Sequence, residues 1–331
     1  MSLTTIRFRN SSAVEQLTVN QLVLGSNPSF GATVLFNPKN TKMVKTKTLK
    51  QFKLFGLKIN NLTKIELLEN IQNLIEIKKP SYIVTPYSEF FLISQKDQEF
   101  KNVINSADLA IPDGVSIAFS RKYLEMPGVY WPLFLCFFHL IFNKKFFKDQ
   151  QITKLSGSDI IYDVSKLAAK NKYKVFFLGG FDFGNGQTGE LAAKKLQDLY
   201  PGLTVVGTYS GSPKSADENQ IIKIINQAKP DILYIAYGPV AQEKWIYRNH
   251  KKLVPCVSFC LGGTFDFVSG QKQRVPKWIS NFGLEWFFRP LISERGNPKL
   301  IIKRINRAWF GVINYILLLV KEKKKLRFLH T

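Results

Sequence analysis

Cysteine and histidine are scarce in this chain. Cys136, Cys256 and Cys260 are odd in number and form no C-x-x-C pair, while His139, His250 and His330 lie far apart. That pattern excludes a disulfide framework and a zinc site and points to a reducing compartment. Acidic residues are also few: 24 Asp and Glu stand against 47 Lys and Arg, a net charge of +23. Such an imbalance implies a polyanionic partner, whether nucleic acid, an anionic membrane or a phosphorylated substrate. Long apolar runs are missing as well. Crossing a bilayer takes roughly 20 apolar residues, and the two best stretches, Tyr130–Phe142 and Ala308–Val320, hold 13 each. Neither is expected to span; both suit the interface. The first residues lack the apolar core of a signal peptide. There is no D-x-D pair to hold Mg²⁺ or Mn²⁺ and no Walker A loop, so neither a bound metal nor a cofactor is expected.

What is present is a core. With 331 residues, 45% of them apolar, the chain can bury a large interior. Strand-like runs at Ser81–Pro86, Leu109–Pro112, Lys174–Leu178, Leu203–Thr208, Ile232–Tyr237 and Val257–Leu261 alternate with helical spacing at Glu89–Asn105, Asp159–Lys170, Gly189–Leu199, Glu218–Ala228 and Gln242–Leu253. This alternation predicts an α/β fold, Rossmann-like and doubly wound around a mostly parallel sheet, with ligands at the carboxyl ends of the strands. The expected division is an N-terminal extension over 1–50, an α/β catalytic domain over 51–275 and a basic, helical, membrane-associating segment over 276–331.

The last of these carries much of the charge. From Gln271 to Thr331 there are 14 Lys and Arg against Glu285, Glu294 and Glu322, a net +11, interleaved with Trp278, Trp286, Phe287, Phe288, Trp309 and Phe310. Basic residues among interfacial aromatics suit a membrane surface better than a nucleic-acid groove. A second aromatic stretch, within Tyr123–Gln150, is followed by Lys144, Lys145 and Lys148. It reads either as a further membrane contact or as a buried helical hairpin.

The beginning is unlike the rest. Ser11–Gln16, Leu17–Gln21 and Gly25–Pro28 back-translate with ordinary codons into sequences like the D-arm, anticodon stem and T-arm of a transfer RNA gene. The expectation is a start placed too early, with Met43 as the true one; a flexible leader is the alternative.

Chemistry-bearing residues fall at the predicted strand ends. Thr85-Pro86-Tyr87-Ser88-Glu89 follows the first strand, Asp113-Gly114 the second, Gly179-Gly180 the third, Gly238 the fifth and Gly262-Gly263 the sixth. A carboxylate at a strand tip followed by glycine is placed for general-base work on a hydroxyl, although Asp113 could equally cap the helix starting near Val115. Gly179-Gly180 could admit a diphosphate to a helix N-terminus or be a plain turn. Without a metal, arginine is the natural counter-ion for a diphosphate. The candidates are Arg274, Arg289, Arg295, Arg304 and Arg307.

The ordered series of these motifs is distinctive. Thr85-Pro86-…-Glu89, Ala107-Asp108-Leu109-…-Pro112-Asp113-Gly114, Gly157-Ser158-Asp159, Phe177-Leu178-Gly179-Gly180 and Tyr200-Pro201-Gly202-Leu203 come first. Gly238-…-Gln242-Glu243-Lys244-Trp245, Gly262-Gly263-Thr264-Phe265-Asp266-…-Gly270, Arg274-Val275-Pro276 and Gly283-Leu284-Glu285-Trp286-…-Arg289 follow. Over roughly residues 53–310 the series resembles the WecG/TagA/CpsF family of glycosyltransferases.

The resemblance implies an inverting, metal-independent transfer from a UDP-sugar to a polyprenyl-diphosphate-linked sugar. The family's usual donors are UDP-N-acetylmannosamine or its uronic acid, and its usual acceptor is undecaprenyl diphosphate carrying N-acetylglucosamine. It implies Asp113 as base with Thr85 in the site, Gln242 and Glu243 lining the donor pocket, and Tyr87, Gly114, Gly179, Gly180, Gly238, Gly262, Gly263 and Asp266 around the substrate. Arg274, Arg289 and Arg304 are the expected diphosphate partners. The implied place is the cytoplasmic face of the plasma membrane, peripheral, in cell-surface polysaccharide synthesis; a homo-oligomer stays open. Three departures stand out: Tyr87 replaces the family's usual Asn, the second Pro of G-x-P-x-Q-E is displaced to Pro239, and Ser293–Pro298 resembles a small insertion. The competing readings are a nucleotide-sugar-modifying Rossmann enzyme and a basic nucleic-acid-binding protein. If the early start is an artefact, mass spectrometry of the natural protein will find no peptide from residues 1–42; one such peptide overturns that expectation.

Overall fold

The computed structural model describes residues 50–142, 146–147, 157–276, 288, 291–292 and 298–328. The expectations for residues 1–49, including the early start, lie outside them. The described chain opens with a hairpin, β1 (Gln51–Leu54) and β2 (Leu57–Asn60), in which Leu54 faces Leu57 across a two-residue turn. Both turn residues have positive φ, Phe55 at 50° and Gly56 at 81°, the pattern of a turn that follows strand twist. Phe55 accepts this conformation because its ring is buried, edge-on to Phe91 and Tyr315.

Helix α1 (Lys64–Ile77) starts with a capping box, Thr63 and Glu66 each satisfying the other's backbone N–H. Then come β3 (Ser81–Val84), α2 (Ser88–Ser94), α3 (Gln98–Asn105), β4 (Leu109–Ala110), α4 (Val115–Glu125), α5 (Tyr130–Phe142), α6 (Gly157–Asn171), β5 (Lys174–Gly179), α7 (Thr188–Leu199) and β6 (Thr204–Tyr209). The remainder is α8 (Glu218–Ala228), β7 (Ile232–Ala236), α9 (Ala241–Asn249), β8 (Val257–Cys260), α10 (Thr264–Val268) and α11 (Pro298–Phe328). All six predicted strands are present. The single helix predicted over Glu89–Asn105 is two, because the Asp97 carboxylate accepts from Phe100 N and caps a new start. The helix predicted over Gln242–Leu253 ends at Asn249 and continues as one 3₁₀ turn.

The six central strands run parallel in the order β4-β3-β8-β7-β5-β6. Alternation along each strand divides the core. Phe176 and Leu178 of β5 join Leu233, Ile235, Trp245 and Ile246 on the face covered by α2, α3, α4, α5, α8, α9 and α11. Val175 and Phe177 join Ile232, Tyr234 and Phe265 on the other, covered by α1, α6, α7 and α10. A parallel sheet buried on both faces reads as continuous apolar runs, which is why its strands were legible.

Helix α11 is held to this body by polar bonds. The Tyr315 hydroxyl lies 2.7 Å from Ser120 Oγ of α4. Farther along, the buried Lys323 ammonium donates to the carbonyls of Tyr123 (2.8 Å), Leu124 (2.6 Å) and Met126 at the end of α4. A cation there satisfies carbonyls that have no partner within the helix. Burial lowers the pKa of this ammonium. Lys323→Met leaves these carbonyls unpaired and should cost on the order of 1–3 kcal/mol, read as a lower urea midpoint, while the exposed Lys321→Met should not move it.

Candidate active site

Sheet order locates a crevice before any side chain is considered. From β5 the chain moves outward to β6, whereas from β7 it moves inward to β8. Adjacent parallel strands whose connections diverge open a gap at their carboxyl ends, and Gly179-Gly180 and Gly238 flank it.

The loops after β3, β4 and β8 are stitched together beside it. Thr85, nearly buried, donates its hydroxyl to the Cys260 carbonyl at 3.4 Å. Asp113 N donates to Pro86 O at 2.9 Å. Gly114, rather than Asp113, takes the cap position of α4 with φ 86° and ψ 170°. A Cβ on Gly114 would meet nothing within 4 Å. Its glycine is therefore demanded by backbone conformation, and Asp113 before it is half-buried.

Gln242 and Glu243 begin α9 and turn inward. The Gln242 carbonyl oxygen accepts from Gly262 N (2.9 Å) and its amide nitrogen donates to Glu243 Oε1 (2.7 Å), which sets the orientation of the amide. Glu243 is fully buried and its Oε2 has no hydrogen-bond partner among the described residues. Burial pushes its carboxyl up to about 7, against the opposing effect of the bond from Gln242. The residue before this helix is strained: Val240, β-branched, has φ 71° and ψ −51°, close to the disfavoured classic γ-turn. Lys244 faces away and bonds to Asp97 (2.8 Å) and Glu99 (2.5 Å) of α3. Those bonds hold the Asp97 carboxyl below its ordinary pKa. Trp245 is fully buried beneath.

At the β5 end, a Cβ on Gly179 would lie 2.7 Å from Ala236 O, and one on Gly180 would lie 2.7 Å from Gly189 N. These glycines let β7 and the start of α7 approach β5, and protein fills the room a side chain would take. Thr188 closes the turn by accepting from Phe181 N at 2.9 Å. Strands lie about 4.8 Å apart, so four strand spacings, or about 19 Å, separate the β4 end from the β5 end. Asp113 and Gly179-Gly180 would thus meet opposite ends of an extended ligand, with Gln242, Gly262 and Gly263 between. Asp266, buried on α10, pairs with Lys272 at 3.1 Å.

The arginines separate. Arg274 donates to Asp159 Oδ1 (2.8 Å) and Ser158 Oγ (2.7 Å) at the start of α6. Arg304 is exposed on α11. Arg289 and Arg295 lie outside the described residues. Arg307 bonds to Glu89 Oε1 at 2.5 Å, and the Tyr87 hydroxyl donates to Glu89 Oε2 at 2.9 Å. The chain Tyr87–Glu89–Arg307 therefore joins the β3 loop to α11, giving Tyr87 a role that the sequence did not signal. Lys272, which also sits 4.7 Å above the Phe183 ring, is a second omission: nothing in the linear pattern separates it from other lysines. Among the described residues no three His, Cys, Asp or Glu side chains form a metal-binding cluster.

The profile of the Glycosyl transferase WecG/TagA/CpsF family matches residues 52–129 and 139–328. The N-acetylglucosaminyldiphosphoundecaprenol N-acetyl-beta-D-mannosaminyltransferase of Bacillus subtilis (strain 168) is 26% identical over 268 residues, 80% of this chain and 88% of that protein. The protein of the same name from Staphylococcus aureus (strain MRSA252) is 24% identical over 276 residues, 83% and 94% of the two chains.

The buried Glu243 makes a pH test. Its folded pKa of about 7 lies above the ordinary 4.5, so folding favours the protonated carboxyl. Stability is greatest at low pH, falls as pH rises between those values and is level above them, by up to about 3 kcal/mol. Glu243→Gln should remove that slope, measured by urea unfolding near about pH 5 and about pH 8. An equal slope in both proteins would exclude Glu243 as its source.

Proposed function

The chain belongs to the WecG/TagA/CpsF family of glycosyltransferases, and on that premise we propose that it moves N-acetylmannosamine or a related sugar from a UDP-sugar to an undecaprenyl-diphosphate-linked N-acetylglucosamine. The relatives' names supply the sugar and the lipid-linked acceptor. The observation that carries the reaction is Asp113, half-buried at the end of β4 and held to the β3 loop through Pro86, directly before the positive-φ Gly114 that starts α4.

In this reading the acceptor hydroxyl attacks the anomeric carbon on the face opposite the diphosphate. The new C–O bond forms as the bond to the diphosphate oxygen breaks, the proton passes to the Asp113 carboxylate and UDP leaves, so configuration inverts. Thr85 lines the same end. Gln242 meets the middle of the donor, its amide already oriented by Gly262 and Glu243. The leaving diphosphate lies toward β5, where the start of α7, which has no side-chain cap, presents the positive end of a helix dipole. Arg289 of the basic segment completes the counter-charge, with no metal required; Arg304, one helical turn from the Arg307–Glu89 pair, lies nearer the β3 end.

A lipid acceptor requires the enzyme at a membrane. No described helix is long and apolar enough to cross one. Residues 276–331 carry the charge for peripheral attachment to the anionic inner leaflet, each Lys or Arg near such a surface contributing about 1 kcal/mol. Asp113→Asn should leave UDP-sugar affinity nearly unchanged and lower turnover roughly 10²–10⁴-fold. The assay uses a short-chain lipid-diphosphate acceptor and a panel of UDP-sugars, read by mass. Unchanged turnover would remove Asp113 from the base role.

A further inference from the structure

Helix α5 takes no part in the reaction just described. None of its thirteen residues is charged. One side is packed, with Cys136 fully buried and Leu133, Phe137 and Leu140 against the core. The other side leaves Tyr130, Trp131, Phe134, Phe138 and Phe142 between 47% and 71% exposed. Tyr130, Phe134, Phe138 and Phe142, spaced by four residues, make a row that Trp131 flanks, three residues before Phe134. Its rings touch one another: Trp131 and Phe134 lie 5.7 Å apart, Phe138 and Phe142 4.9 Å. Isolated apolar residues on a surface are ordinary, but a contiguous aromatic row marks a contact. The family profile breaks over residues 130–138, which hold Tyr130, Trp131, Phe134 and Phe138 of this row.

Its neighbourhood indicates what it meets. The Lys323 clamp fixes the end of α11 to the end of α4, just before α5 begins, and Lys324 sits 5.8 Å from the Tyr130 ring centre. The exposed Lys321, Lys324, Lys325 and Arg327 therefore border the row. Helix α11 continues the apolar exposure with Ile302, Phe310, Ile313 and Leu317. Thirteen helical residues reach about 20 Å against a hydrocarbon core of about 30 Å, so α5 cannot cross a bilayer.

We propose that α5 is a second membrane-docking element, which seats its aromatic row at the headgroup boundary of an anionic leaflet while the lysines at the end of α11 meet the lipid phosphates. Aromatic rings favour that boundary. A two-fold contact between copies of the chain would instead press the basic cluster toward itself. The anionic leaflet neutralises it.

The test uses the full chain and vesicles of phosphatidylcholine with or without phosphatidylglycerol, with no sugar nucleotide present. Transfer chemistry and membrane docking can then fail separately. Combined Trp131→Ser, Phe134→Ser and Phe138→Ser should weaken binding to anionic vesicles roughly 100-fold or more, with an unchanged urea midpoint and unchanged transfer to a water-soluble acceptor. The tryptophan emission quenched by brominated lipid should diminish in Trp131→Phe. Binding equal to that of the unsubstituted chain would overturn the proposal. So would a concentration-dependent dimer that the triple variant abolishes without any change in vesicle binding.

Discussion

A parallel strand buried on both faces has no place for an unpaired polar side chain, and that constraint arranges nearly everything else in this protein. The strand interiors are given over to Val, Ile, Leu, Phe and Tyr, so chemistry is displaced to the carboxyl ends. There the chain must turn sharply into the next helix. Glycines with positive φ, Gly114, Gly179, Gly180 and Gly238, permit those turns, and the polar residues beside them are bonded from one loop to the next. Thr85 reaches Cys260, Asp113 reaches Pro86 and Gln242 reaches Gly262. A site built this way is preorganised by the main chain of its neighbours rather than by packing within one loop.

Around this body the C-terminal helix adds polar anchors to a largely buried apolar seam of Tyr315, Leu318 and Leu319. Its polar attachments are Arg307 to Glu89, Tyr315 to Ser120 and Lys323 to the end of α4. Much of its apolar surface, Ile302, Phe310, Ile313 and Leu317, faces outward. Polar anchors fix direction and register while leaving the hydrophobic side available. Because Glu89 also holds Tyr87, the anchor nearest the crevice touches a residue next to the candidate site. An aromatic ring at that position therefore links the β3 loop to the appendage.

The strands were legible because burial on both faces writes them as short apolar runs, and the motif series Asp113-Gly114, Gln242-Glu243 and Gly262-Gly263 was legible because glycines and inward polar residues at strand ends are rare combinations. Less was legible where the cause is non-local. The break between α2 and α3 rests on one carboxylate, Asp97, which also binds Lys244, 147 residues along the chain. The strain at Val240, the pairing of Arg274 with Ser158 and Asp159, and that of Asp266 with Lys272 have no sequence signature, since a lysine or arginine reads alike on any face until a partner is placed against it.

Composition and periodicity by themselves determined the α/β class, the strand ends as the place for ligands, and an excess of positive charge gathered late in the chain; these depend on hydrophobicity and charge, which each residue carries wherever it lies. Tertiary structure alone decided which ends adjoin, that Gly179 and Gly180 serve close packing, that Glu243 is isolated enough to hold its proton near neutrality, and that the α5 aromatics face outward. Each of those is a distance between residues remote in sequence, and only the folded sheet order sets such distances.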